Sequence, residues 1–172
     1  MKTYTAPACQ VKTVSLAALY PIIEETLQNN DCFSLHVTGK SMAPFLVHMR
    51  DQAILAPLAG HAFRKGDILF YRRAGGQFVM HRVYAVEKDA SLTLLGDAQW
   101  TTEPGIRPEQ VLARVPKVIR KGKTINCERG FFRFLMTAWQ LRIRFPRLGR
   151  LCLRALHSLM AIKKKCLHTK TQ

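Results

Sequence analysis

The 172-residue sequence predicts a mainly β chain: a coiled antiparallel β domain with a short N-terminal helix and a basic amphipathic helical tail. Short runs of alternating apolar and polar residues recur between Phe33 and Ile119. Gly60, Gly66, Gly75, Gly76 and Gly96 punctuate them, as turns between short strands require. Beyond Phe131 the apolar period lengthens to that of a helix. The chain divides into an extension (1–20), a β domain (21–128) and a tail (129–172).

Residues Pro21–Gln28 predict the short helix, with proline in its first turn and Glu24 and Glu25 near the positive end of the dipole. Asn29-Asn30-Asp31 stops it. Phe33, Leu35 and Val37 then alternate with Ser34, His36 and Thr38, which predicts a half-buried strand ending at Gly39. Further strands are expected at Ala53–Leu55, Asp67–Tyr71, Gln77–Val86, Leu92–Leu95 and Val111–Ile119, with Gly75-Gly76 as a hairpin turn. In the tail, Phe132, Leu135, Met136, Trp139 and Ile143 recur at helical spacing opposite Arg133, Gln140 and Arg144. Pro146 interrupts the run. A second helix then sets Leu148, Leu151, Cys152, Ala155, Leu159 and Ile162 against Arg147, Arg150 and Arg154.

The net charge of +16 is unevenly spread. From Arg129 onward there are eleven Lys or Arg and no Asp or Glu, while sixteen bases and eleven acids leave residues 1–128 at only +5. The tail is therefore the part that calls for an anionic partner. Its mixture of Phe, Trp, Leu and Arg suits an anionic membrane surface, contacted through residues 129–165. The alternative is that these helices pack on the β domain. Nucleic acid fits less well, because the aromatics share the apolar face and form no stacking platform.

Five scattered cysteines without a CxxC pair argue against a disulfide framework or a metal site and favour a reducing compartment. Met1–Lys12 lacks the pattern of a secretory signal, and no apolar run reaches the roughly 20 residues that span a bilayer. A cytoplasmic protein, or one peripheral on the inner face of the membrane, is expected. No cofactor is implied.

The string most suggestive of chemistry is Gly39-Lys40-Ser41-Met42-Ala43-Pro44, directly after a strand. Gly39 permits a sharp turn that presents a hydroxyl and backbone N–H groups, and Pro44 fixes the chain beyond. An ordinary β-turn with a surface serine would read the same way. A nucleophilic serine needs a partner for its proton. His81, in Val79-Met80-His81-Arg82-Val83, shares a strand face with Val79, Val83 and Ala85, an apolar setting that keeps an imidazole neutral near pH 7. It could equally be a core histidine bonded to a carbonyl. His36, His48, His61, Lys40 and Lys65 are rivals on polar faces or in loops. Asp97 and Glu103 are the candidate carboxylates for orienting the imidazole.

Taken in order, Gly39–Leu46, Arg64–Tyr71, Met80–Val83 and Leu94–Gln99 (G-K-S-M-A-P-F-L, R-K-G-D-I-L-F-Y, M-H-R-V and L-L-G-D-A-Q) resemble the signal peptidase superfamily. The likeness spans about Pro21–Val118. It implies a serine endopeptidase, cleaving after small residues in extended leader or precursor segments, on the β fold of signal peptidases and self-cleaving repressors. A histidine where the lysine-dependent branches carry their base places the resemblance in the serine–histidine branch. By that likeness Ser41 is the nucleophile and His81 the general base, with Asp97 and Glu103 as acidic support. Gly39 and Met42 are then the expected oxyanion and substrate-binding residues, and the Ser41 N–H is a candidate oxyanion donor. The sequence departs from the family at Gln99, where asparagine is usual, at Glu103, where aspartate is usual, and in lacking the family's N-terminal anchor. A catalytically silent peptide- or membrane-binding module on the same fold is the alternative. A self-cleaving repressor is a weaker one, since no flexible linker precedes Pro21.

Overall fold

The computed structural model describes residues 14–145. Helix α1 (Leu16–Gln28) precedes eight strands: β1 (Phe33–His36), β2 (Asp51–Ala56), β3 (Ile68–Arg72), β4 (Phe78–Val86), β5 (Leu92–Leu95), β6 (Glu103–Ile106), β7 (Val111–Arg120) and β8 (Lys123–Asn126). Helix α2 (Gly130–Trp139) follows and tightens into a 3₁₀ turn over Gln140–Ile143. The mainly β architecture is as the alternating runs predict. The second helix expected in the tail lies outside the described residues.

All strand pairs are antiparallel, in the order β1-β2-β7-β3-β4-β5-β6, with β8 paired to the far end of β7. Register shifts at Ile54/Ala56, Phe70/Tyr71 and Val83/Ala85 bend the strands and coil the sheet. β3 is central and buried on both sides. Ile68 and Phe70 enter one apolar cluster with Met42, Leu46, Val115 and Val118, while Leu69 and Tyr71 enter a second with Val83, Leu92 and Leu94. α1 packs Ile23, Leu19 and Leu27 on the first cluster, and α2 adds Met136 and Phe132 to it.

Three elements begin or appear where the alternation and the Pro21 start signal do not place them. α1 starts at Leu16, five residues before Pro21, because Ser15 caps it: the Ala18 N–H donates to Ser15 Oγ at 3.2 Å. Pro21 sits inside the helix and forgoes only the bond its N–H would make to Ala17. β6 and β8 were not expected. β6 reads Glu-Pro-Gly-Ile, which carries no alternation, and a proline is tolerated there because the strand is an edge. β8 is joined to β7 by Lys121-Gly122, both at positive φ (50° and 73°), a two-residue turn matched to the twist of a hairpin. The Gly75-Gly76 hairpin forms as expected, closing β3 on β4 with Arg72 opposite Phe78.

Candidate active site

The turn that carries Ser41 is anchored at both ends and from below. Gly39 takes φ +87°, a conformation that disfavours a side chain, and its N–H donates to His48 Nδ1 at 3.2 Å. The Ala43 N–H closes on Lys40 C=O at 3.1 Å, placing Ser41 and Met42 at the tip of a β-turn. Met42 is buried beside Leu46 in the first core cluster, so the neighbour of Ser41 acts as its anchor. The peptide Ala43–Pro44 is cis. From the other side, the Ala98 N–H donates to Ser41 C=O at 2.7 Å. A Cβ on Gly96 would lie 2.8 Å from that same oxygen, so only glycine lets the two loops meet. Gln99 folds back to accept from the Gly96 N–H at 3.3 Å.

Ser41 and His81 line one cleft of about 270 Å³, together with Leu35, Val37, Met42, Phe78, Met80 and Gln99. Space of that size holds about nine water-sized groups. Ser41 is partly exposed and His81 is 1% exposed. No hydrogen bond joins the two side chains in this ligand-free geometry; such contacts commonly tighten only when substrate binds.

His81 lies on the apolar face that alternation predicts, beside Val79 and Val83. Its Nδ1 meets Tyr71 Oη at 3.1 Å, and Tyr71 Oη donates to Glu103 Oε2 at 2.7 Å. The carboxylate can only accept, so the tyrosine proton is committed to Glu103 and Nδ1 must carry the hydrogen it gives to Tyr71. That sets the tautomer and leaves Nε2 with its lone pair. Glu103 Oε2 also lies 3.7 Å from Nδ1. Arg73 grips the carboxylate with two bonds, of 2.7 and 2.6 Å.

The electrostatics follow from this packing. Burial pushes His81 down from 6.5 to about 4 against the pull of Glu103, so the ring is neutral near pH 7. The Arg73 hydrogen bonds hold Glu103 below the ordinary carboxylate range, and burial together with Glu103 pushes the Tyr71 phenol up. A neutral imidazole with an unprotonated Nε2 in a cleft shared with a serine hydroxyl can accept that hydroxyl's proton.

The two candidate carboxylates separate cleanly. Glu103 reaches His81, chiefly through Tyr71. Asp97 does not bond to it: both its oxygens receive Arg82, at 2.9 and 2.7 Å, in a fully buried ion pair. Asp97 instead supports the loop under Ser41, and the Trp139 indole N–H fixes its backbone carbonyl at 2.8 Å. The rival bases are engaged elsewhere. His36 meets Gln52 at 3.2 Å, His48 accepts from Gly39, His61 pairs with Asp67 at 2.9 Å, and Lys40 and Lys65 are exposed.

Tyr71 and Arg73 were not among the expected site residues. A signal for Tyr71 was present: a hairpin at Gly75-Gly76 sets Leu69 opposite His81, and the period of two then brings Tyr71 to the same face one step away. Arg73 lies just beyond β3, in the turn, where periodicity carries no information.

No known protein family, curated protein or solved structure matches this chain.

Proposed function

We propose that this protein is a serine endopeptidase of the signal-peptidase type, acting on an extended segment of a leader or precursor peptide. The observation that carries the reading is the chain Glu103–Tyr71–His81, which ends in an unprotonated Nε2 in the cleft that Ser41 lines. In the proposed reaction Ser41 Oγ attacks the scissile carbonyl as its proton passes to His81 Nε2. The imidazolium returns that proton to the leaving amine, and the C–N bond breaks. Water, deprotonated by the same nitrogen, then hydrolyses the acyl-enzyme. The Ser41 N–H, which donates to no described residue, is the oxyanion donor in this scheme. Apolar side chains of Leu35, Val37, Phe78 and Met80 along the cleft suit a short, apolar side chain of the substrate.

No helix among the described residues is long and apolar enough to cross a membrane.

The test is labelling by a serine-directed phosphonate, read by intact mass. The expected result is one adduct on the wild-type chain and none on Ser41→Ala or His81→Ala. With the base at about 4, the labelling rate, corrected for reagent hydrolysis, should be level from pH 6 to 9. A folded wild type that takes no adduct overturns the peptidase reading in favour of a peptide-binding module.

A further inference from the structure

Helix α2 has two apolar sides, and the described residues cover only one. Met136, Phe132 and Trp139 face the β domain. Gly66, at φ +95°, makes room for the helix, since a Cβ there would lie 2.7 Å from Thr137 Oγ1. Arg133 bridges to Asp67 at 2.8 Å, and the buried Gln140 donates to Val83 C=O at 3.0 Å. The sequence reading put Leu135 on the packed side and Gln140 on the solvent side; the fold reverses both. Turned inward, Gln140 donates to the Val83 carbonyl, which also accepts from the Gly66 N–H, and Arg142 donates to the carbonyls of Gly96 and Gln99.

That inversion leaves an apolar stripe facing outward. Phe131 (76% exposed), Phe134 (68%), Leu135 (42%), Leu141 (55%) and Phe145 (57%) form it: Phe134 and Leu135 lie three and four residues after Phe131, Leu141 seven after Phe134, and Phe145 four after Leu141. This is a large amount of aromatic surface for one short helix to leave in water. Basic residues rim it: Arg129 and Arg144 at its ends are exposed, as are Lys121 and Lys123 around β8, on which α2 packs. Residues 146–172 add seven more Lys or Arg and no acid.

We propose that this outward face of α2 is a docking surface for an anionic lipid bilayer. Aromatic side chains enter the headgroup boundary while the surrounding bases meet lipid phosphates, each basic residue near such a surface adding attraction. Charge decides between the bilayer and the chain's own C-terminal segment. Folding residues 146–172 over this face would bring seven bases against four of like sign, with Glu128, already paired to Arg114, as the one acid beside them, whereas an anionic surface satisfies both. The inference is independent of the peptidase reading. If both hold, the inner side of the docked helix grips the loop beneath Ser41 and keeps the cleft at a set distance from the bilayer.

The test is co-sedimentation of the full chain with phosphatidylcholine vesicles with and without phosphatidylglycerol. Binding should require the anionic lipid and weaken as salt rises. The triple variant Phe131→Ser/Phe134→Ser/Leu141→Ser should lose about tenfold or more in affinity, given the apolar surface removed. Phe134→Trp should retain it, because tryptophan favours the interface. All three positions are exposed, and circular dichroism checks that the fold persists. Overturning results are wild type indifferent to lipid charge, or a folded triple variant that binds like wild type. The latter, together with a change of oligomeric state on gel filtration, would assign the face to a second copy of this chain.

Discussion

His81 and Arg82 are adjacent in β4 and point to opposite faces of the sheet, and both are almost wholly buried. Arg82 engages four of its five N–H donors: with both oxygens of Asp97, the Gly66 carbonyl at 2.9 Å and the Met136 sulfur at 2.9 Å. It ties β4, the Gly96–Gln99 loop and α2 together. His81 finds one partner, on one nitrogen, in an apolar setting that keeps it neutral. A buried polar group whose every nitrogen has a partner is held for structure. One that keeps a vacant lone pair beside a cleft is available for chemistry. The same division separates Asp97, spent on Arg82, from Glu103, which acts on His81 through a phenol.

The largest expected effect falls on the structural side. Arg82→Met leaves Asp97 buried without its counter-ion, and breaking such a pair costs about 3–5 kcal/mol. Urea unfolding should register the loss, and Arg82→Met/Asp97→Leu should recover most of it, since removing both charges leaves nothing unpaired. A loss below about 1 kcal/mol for the single variant would mean that water reaches this pair and that the contrast with His81 is wrong.

The next effect belongs to His81 and appears as pH dependence of stability. The unfolded ring binds a proton near 6.5 and the folded ring only near 4, so between these values the unfolded state holds more protons. Stability therefore falls as pH drops from 6.5 towards 4, by about 3 kcal/mol, and this component levels off below. Asp51, held at about 2 by Arg50 and Arg120 against its burial, loses its contribution only further down, between about 4 and 2. His81→Gln should flatten the upper window and leave the lower one unchanged. An unaltered upper slope in the variant would locate the proton uptake elsewhere.

Much of this division was legible in the residues. Alternation from Phe78 to Val86 put His81 with Val79 and Val83, and glycine at 39 marked the turn that presents Ser41. The Gly66-Asp67 and Gly96-Asp97 pairs were recognisable as motifs, but their task was not. Their carboxylates bind Arg133 and Arg82, so half of what resembles catalytic vocabulary is the attachment of α2 to the sheet. A local pattern cannot distinguish an acid that orients a histidine from one that neutralises an arginine on the opposite face. That depends on which strands pair, and Glu103 sits on β6, a strand with no periodic signal. The α2 faces failed for a related reason: a helix apolar on both sides has no single stripe, and the side that turns in is set by tertiary contacts, such as Gln140 with Val83 and Arg142 with Gly96, that a helical period does not encode.

The smallest effect is the most specific to the site. Tyr71→Phe removes the hydroxyl between Nδ1 and Glu103 while keeping the ring that packs in the second cluster. The buried Nδ1–H then has no acceptor within reach except the carboxylate oxygen now 3.7 Å away. An unsatisfied buried donor costs about 1–3 kcal/mol, so the acylation rate should fall about ten- to a hundredfold. Tyr71 is a positioning residue, so reagent binding should hold while the rate of adduct formation drops. Its pH profile should change as well, because without the fixed tautomer the Nε2–H form competes for the same ring. Glu103→Gln keeps Tyr71 in place and offers it an amide oxygen, so its loss should be smaller than that of Tyr71→Phe. Equal losses in the two variants would mean that the carboxylate charge matters more than the hydrogen-bonded path through the phenol, and Glu103 would then act on His81 directly across 3.7 Å.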